Sequence, residues 1–279
     1  NSLENGCVFF DTSRAYGGSE RMLQDSLKDI KRDNYYICTK LDNSAQLKGI
    51  SARKVLEESM RQLGVDYIDV YLLHWPVEGK YLEYWKQLEE LYKERKVRAI
   101  GVSNCKIHHL KEIERIAEIK PMIDEVELHP LLSETELRDY CKEKNIQIMA
   151  YTSTARLDFR LRASKRMEKV CKETGKTLSQ IILRWHIQNG IIPIFNTSTI
   201  KHFKDNMDVF DFNLSNEQMK MEEADTEDLG KKEKSGKDGK QYSSYTVGNR
   251  FRVYDNQKNF IGIYQLQEKK MLKPYKLFL

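Results

Sequence analysis

Four side chains within the first 74 residues, Asp11, Tyr16, Lys40 and His74, could together place a proton on a carbonyl oxygen. A tyrosine with its ordinary pKa near ~10 is a poor acid-base group at neutral pH. A lysine beside it favours the phenolate and lowers that pKa. An aspartate can keep the lysine charged and aimed, and a neutral imidazole can hydrogen-bond the substrate oxygen and orient it. No Ser-His-Asp arrangement or nucleophile elbow competes with this chemistry. Further polar residues follow at matching places in later segments: Ser103 and Asn104, Glu125 and Glu127, Tyr151, then Asn196 and Thr197.

The matching places are the ends of short β-like runs. CVFFDTS, YYICTK, YIDVYLLH, VRAIGVSN, MIDEVELH, IQIMAYT and IIPIFNT begin near positions 7, 35, 67, 97, 122, 146 and 191. Their spacing averages roughly 30 residues, the size of one βα unit. Between them lie runs such as SERMLQDSLKDIK, ISARKVLEESMRQLG, YLEYWKQLEELYKERK, KIHHLKEIERIAE, ETELRDYCKEK and SKRMEKVCKETG. Each repeats apolar residues at three- and four-residue intervals, the helical period. Ser51 stands where it can cap its helix. Alternating β and α units predict a parallel sheet covered by helices. Seven such units, with no GxGxxG, favour a (β/α)8 TIM-type barrel one strand short over an open dinucleotide-binding sheet. In such a barrel the active face lies at the C-terminal ends of the strands, where these polar residues fall.

Composition supports a packed protein. Of 279 residues, 40% are hydrophobic and 32% charged, enough apolar material to exclude a wholly disordered chain. Only 5 Pro and 14 Gly exclude collagen-like and low-complexity chains. No window approaches ~18 uninterrupted apolar residues, and the N-terminus has neither a basic region nor a long apolar one, so no membrane span and no signal peptide are expected. Cys7, Cys38, Cys105, Cys141 and Cys171 are odd in number and widely spaced, without a CxxC. They read as reduced thiols of a cytoplasmic protein, with neither a disulfide framework nor a metal site.

In order, FFDTSRAYGGSE, ICTKLD, YLLHWP, AIGVSN, EVELHP and IMAYTS resemble the successive motifs of the aldo-keto reductases, from about Gly6 to Asp225. The resemblance implies a barrel enzyme that reduces aldehydes and ketones with NADPH. It implies Tyr16 as general acid, Lys40 and Asp11 as its partners, and His74 as the orienting group. Ser103, Asn104 and Glu125 match the positions that hold the nicotinamide carboxamide, and Tyr151 the aromatic that stacks on its ring. IIPIFNTSTIKHFKDN resembles the segment that grips the adenosine end, which implicates Asn196, Thr197, His202 and Asn206.

The departures are specific. The family usually has Asn-Gln where Asp124 and Glu125 stand, and an ionised glutamate accepts hydrogen bonds without donating any. It often has Lys and Arg in place of Asn196 and His202. Those cations pair with the extra phosphate of NADPH, so NADH enters as an alternative cofactor. The family's N-terminal hairpin, first strand and first helix find no match before Gly6.

After Asp228 the pattern changes. Residues 229–279 carry 12 Lys and Arg against 4 Asp and Glu, while residues 1–228 carry 35 against 38. The stretch 229–249 reads as a basic flexible linker, and 250–279 as a small β module with FRVY and FIGIY as a hairpin. The segment from Phe251 resembles the C-terminal extension of bacterial tRNA pseudouridine synthases that modify the T-loop uridine. That resemblance opens a second reading: a non-catalytic, reductase-like barrel whose basic tail binds RNA weakly.

Overall fold

The computed structural model describes residues 2–221 in full and, beyond them, the backbone of three strands within 250–277. The chain divides into two compact units, Asn1–Asp228 and Leu229–Leu279.

In the first unit seven strands lie side by side in sequence order, every neighbouring pair parallel. They are β1 (Phe9–Asp11), β2 (Tyr36–Leu41), β3 (Ile68–Leu73), β4 (Val97–Ser103), β5 (Ile123–Glu127), β6 (Gln147–Tyr151) and β7 (Ile192–Pro193). Six fall within the runs read from the sequence, and β2 overruns its run by one residue, Leu41. The last is the exception in length: only two residues of IIPIFNT pair. Among the described residues β1 and β7 are the edges of the sheet, so the strands form an open, seven-stranded portion of the expected barrel.

Helices make every crossover, as parallel pairing requires. α1 (Ser19–Leu27) follows β1; α2 (Asn43–Leu47) and α3 (Ala52–Leu63) follow β2. α4 (Tyr81–Lys93), α5 (Ile107–Ile116) and α6 (Thr135–Lys144) follow β3, β4 and β5. Between β6 and β7 run α7 (Phe159–Ala163), α8 (Lys165–Thr174) and α9 (Leu178–Gln188); α10 (Ile200–Met207) and α11 (Asn216–Met219) follow β7. Ser51 caps α3 by accepting from the Lys54 N–H, as its position suggests, and Gly64 ends the helix in the left-handed region. Among the described residues no helix is long and apolar enough to cross a membrane.

The sheet buries both faces, and each face has its own core. Outside, Leu41, Tyr71, Leu73, Ile100 and Val102 pack with helix residues such as Leu56, Trp85, Leu88 and Ile113. On α4 the buried residues Tyr84, Trp85, Leu88 and Leu91 recur at helical spacing, each contributing about 1.5–3 kcal/mol of apolar burial. On the other face Cys38, Val70, Leu72 and Met149 pack together, with Phe9, Ala99, Ile123 and Ile194 against them. Side chains of a strand alternate faces. The residue two places on from each member of this inner layer therefore stands on the same face, one step nearer the C-terminal ends of the strands.

In the second unit, β8 (Arg250–Tyr254), β9 (Phe260–Leu266) and β10 (Leu272–Leu277) form an antiparallel sheet with β9 in the centre. The linker, 229–249, lies outside the described residues, as do all side chains of the tail.

Candidate active site

The inner layer generates the site by a two-residue step. Asp11 follows Phe9, Lys40 follows Cys38, and His74 follows Leu72. Ser103 lies two steps beyond Ala99, Glu125 one step beyond Ile123, and Tyr151 one step beyond Met149. The chemistry-bearing residues of six strands thus rise from one apolar floor.

Tyr16 arrives from a loop. Thr12 and Ser19 exchange a 2.7 Å hydroxyl bond, and the Tyr16 N–H donates to the Ser13 carbonyl at 2.9 Å. Gly17 and Gly18 both have positive φ, 56° and 85°, a conformation that a side chain would strain. They turn the chain into α1, whose Glu20 accepts from the buried Thr39 hydroxyl at 2.7 Å. The loop is thereby pinned to β2, the strand that carries Lys40.

Lys40 is fully buried, with its Nζ 2.5 Å from Asp11 Oδ1 and 3.1 Å from both the Thr12 carbonyl and Glu125 Oε2. The same Nζ lies 5.4 Å from the centroid of the Tyr16 ring, and that ring meets His74 edge-on at 5.5 Å. The four residues of the expected tetrad therefore converge. Asp11, Cys38 and Glu125 also bring three metal-ligand-type atoms within 4.8 Å of one another. The lysine ammonium stands between the two carboxylates and supplies the cationic charge there.

Burial opposes the Lys40 charge, while Cys38, Asp11 and Glu125 beside it favour it; the balance lifts its pKa well above the usual lysine value. Cys38 is itself pushed far up by burial, so it is a neutral thiol at neutral pH and the carboxyl groups hold the ammonium. Glu125 is pushed up to about 8, by burial first and by the neighbouring Asp11 second. Tyr16 departs from expectation. The Lys40 charge does pull its pKa down, but desolvation outweighs that pull, and the phenol is pushed up to about 12 although the residue is 45% exposed. The two carboxyl groups at the lysine raise it further.

The neighbouring positions form one hydrogen-bonded chain. The Asn104 amide donates to the His74 carbonyl and to Ser103 Oγ, both at 3.0 Å. Its oxygen accepts from the Tyr151 hydroxyl at 2.7 Å. Asn104 holds φ at 62°, a left-handed conformation that asparagine tolerates better than most residues. Ser103 Oγ donates to the Glu125 carbonyl at 2.8 Å. Ser103, Asn104, Glu125 and Tyr151 are thus brought together with the tetrad. Asn196, Thr197, His202 and Asn206 lie on the segment after β7. Asn196 and His202 are exposed, while Asn206 accepts from Ser179 on α9 at 2.8 Å. The described hydrogen bonds of residues 196–206 tie them to one another and to α9, apart from the tetrad.

Ser13 is the residue that the sequence did not single out. Its Oγ lies 3.2 Å from His74 Nδ1 and accepts from the Ala15 N–H at 3.1 Å. A serine hydroxyl has one proton and two lone pairs, so with one lone pair used by Ala15 it can still either donate to the imidazole nitrogen or accept from it. Either way the contact fixes the orientation of the His74 ring and turns Nε2 away from Ser13. The hint was the hydroxyl in DTSRAY; its partner lies 61 residues away and only the fold supplies it.

Comparison with known proteins identifies the family. The model of the aldo/keto reductase family matches residues 1–224. The uncharacterized oxidoreductase YtbE of Bacillus subtilis (strain 168) is 39% identical over 82% of this chain and 82% of its own length. Glyoxal reductase of the same organism is 37% identical over 78% of each chain. Among solved structures, a Gox0644 mutant in complex with NADPH superposes with a TM-score of 0.73 at 32% identity, covering 81% of this chain and 83% of that one. A family model over most of the chain and relatives more than 30% identical show that the chain belongs to the aldo/keto reductase family.

Proposed function

We propose that this protein reduces small aldehydes or ketones to alcohols with NADPH, and that Tyr16 is the proton donor. The observation that carries the reading is the Lys40–Asp11 pair set beneath Tyr16 and beside His74, in a chain of this family. The similarity to glyoxal reductase supports a short, reactive carbonyl compound as substrate.

The donor set suits a nicotinamide. The hydroxyl of Ser103, the amide of Asn104 and the carboxyl of Glu125 can meet a carboxamide, and the half-buried Tyr151 ring can cover a flat heterocycle. When bound, the reduced cofactor supplies a hydride to the carbonyl carbon. The chain's own residues do the rest. His74 donates from Nε2 to the carbonyl oxygen and fixes its direction. Tyr16 passes its hydroxyl proton to that oxygen, and Lys40 stabilises the phenolate left behind. Asp11 holds the lysine in place. Asn196, Thr197, His202 and Asn206 are assigned to the adenosine end. Without cations at 196 and 202, discrimination against NADH is weak.

The test is direct: NADPH and glyoxal are mixed with the purified protein and loss of nicotinamide absorbance is followed. Steady turnover is expected at pH 7, and its absence with a panel of short aldehydes would overturn the reading.

A second reading concerns the tail. Its 12 basic against 4 acidic residues favour weak RNA binding through phosphate contacts, which would fall steeply with salt.

A further inference from the structure

Asp11, Lys40 and Glu125 meet in a buried cluster whose charges do not balance. Lys40 Nζ lies within 3.1 Å of both carboxyl groups, and the lysine and glutamate are enclosed. The other titratable groups around Glu125 are Cys38 on β2, Tyr16 in the loop after β1, and Asp124 beside it on β5. The first two are neutral at neutral pH, and burial likewise keeps Asp124 protonated far above the usual carboxyl range. The register partners of Glu125 on β4 and β6 are Ser103 and Met149, which carry no charge. If Asp11 and Glu125 were both ionised, one ammonium would face two carboxylates out of reach of water. An uncompensated buried charge is costly, and a group so placed neutralises instead.

We propose that Glu125 is a positioning residue that retains one proton at neutral pH, presents a neutral carboxyl to the nicotinamide carboxamide, and loses that grip in alkaline solution. This inference rests on the nicotinamide placement proposed above. A neutral carboxyl donates through its O–H and accepts through its C=O, as a glutamine amide does. The ionised form only accepts, and it competes with Asp11 for Lys40. Asp11 keeps the shorter contact to the lysine, 2.5 Å against 3.1 Å for Glu125. The pKa of Glu125, near 8, sets the pH at which the change falls.

Two measurements test the proposal, the first without cofactor. Carbon-13 NMR of glutamate-labelled protein should show one side-chain carboxyl titrating near 8, absent from Glu125→Gln. Stability should follow. The unfolded glutamate ionises near its ordinary value of 4.5 and the folded one near 8. The stabilising contribution is therefore complete below 4.5 and is lost as pH rises to 8. Glu125→Gln, which lacks that loss, should gain on the wild type across this window. The second measurement is the NADPH dissociation constant by fluorescence. It should rise about tenfold per pH unit above 8 in the wild type and stay level in Glu125→Gln. Glutamate carboxyls that all titrate below pH 6, or equal pH slopes in the two proteins, would overturn the proposal. Should Glu125→Gln not fold, the wild-type carboxyl titration decides alone. A wild type that binds no NADPH at pH 6.5 refutes the nicotinamide placement, while the NMR titration still reports on the proton.

Discussion

A phenol whose pKa is pushed up to about 12 is an acid that keeps its proton throughout the neutral range. That favours reduction, which needs the proton delivered, over alcohol oxidation, which needs it removed. Oxidation by this protein should be slow at pH 7 and accelerate toward pH 10, while reduction shows no rising alkaline limb; initial rates in both directions across pH check this. Tyr16→Phe should lower the turnover number by about 10²–10⁴-fold, the range of general acid catalysis, with the NADPH dissociation constant unchanged. Retention of more than a tenth of wild-type turnover would remove Tyr16 from the role. Ser13→Ala releases the His74 ring and should cost less, about tenfold, the worth of one hydrogen bond of roughly 1–1.5 kcal/mol. The tetrad was legible because its residue types and order carry the chemistry. The Tyr16 pKa was not, because it depends on how far folding desolvates the phenol, which outweighs the pull of Lys40. Glu125 read as a cofactor contact, and only the fold shows it 3.1 Å from the lysine.

At the scale of elements, the strands were legible because both of their faces are apolar and polar residues stop them. The inner layer also explains one glycine. A methyl group on Gly101 of β4 would lie 2.5 Å from the Ile123 carbonyl oxygen and 2.8 Å from Leu72 Cδ2. Neither neighbour can move without disturbing β5 or the inner core. Gly101→Ala should therefore destabilise the protein by about 1–3 kcal/mol, read from the denaturant midpoint. It should also weaken NADPH binding, because Ser103 and Asn104 follow on the same strand. Helical periodicity found the helices that keep one face wet. It passed over α9, because Ile181, Ile182, Leu183, Trp185 and His186 are all buried. A helix covered on most sides has no polar stripe to mark its period. His186 is enclosed among them, with Nε2 bonded to the Ser153 carbonyl at 2.8 Å.

For the whole molecule, every residue of the site lies in the unit that ends at Asp228. A chain ended there should keep its reductase activity within about twofold and lose whatever RNA it retains on filters at low salt. Loss of reduction with RNA retention unchanged would make the tail part of the catalytic fold and end its reading as an RNA module. The order of the sheet was legible from the spacing of the βα units. The brevity of β7 was not, since Ile194 and Phe195 continue the apolar run without pairing as strand; the Ile194 N–H bonds to Ala150 and its side chain packs on the inner layer.

The lysine's enclosure has a consequence for self-damage. An unprotonated lysine amine condenses with aldehydes to form an imine, the reaction by which some enzymes tether their substrates. An enzyme that concentrates reactive aldehydes around such an amine would poison itself with its own feedstock. Lys40 carries a proton held far above the ordinary range and has no lone pair to offer. Borohydride added during turnover on glyoxal should therefore leave Lys40 unmodified while it traps adducts on exposed lysines such as Lys165, as peptide mass spectrometry would show.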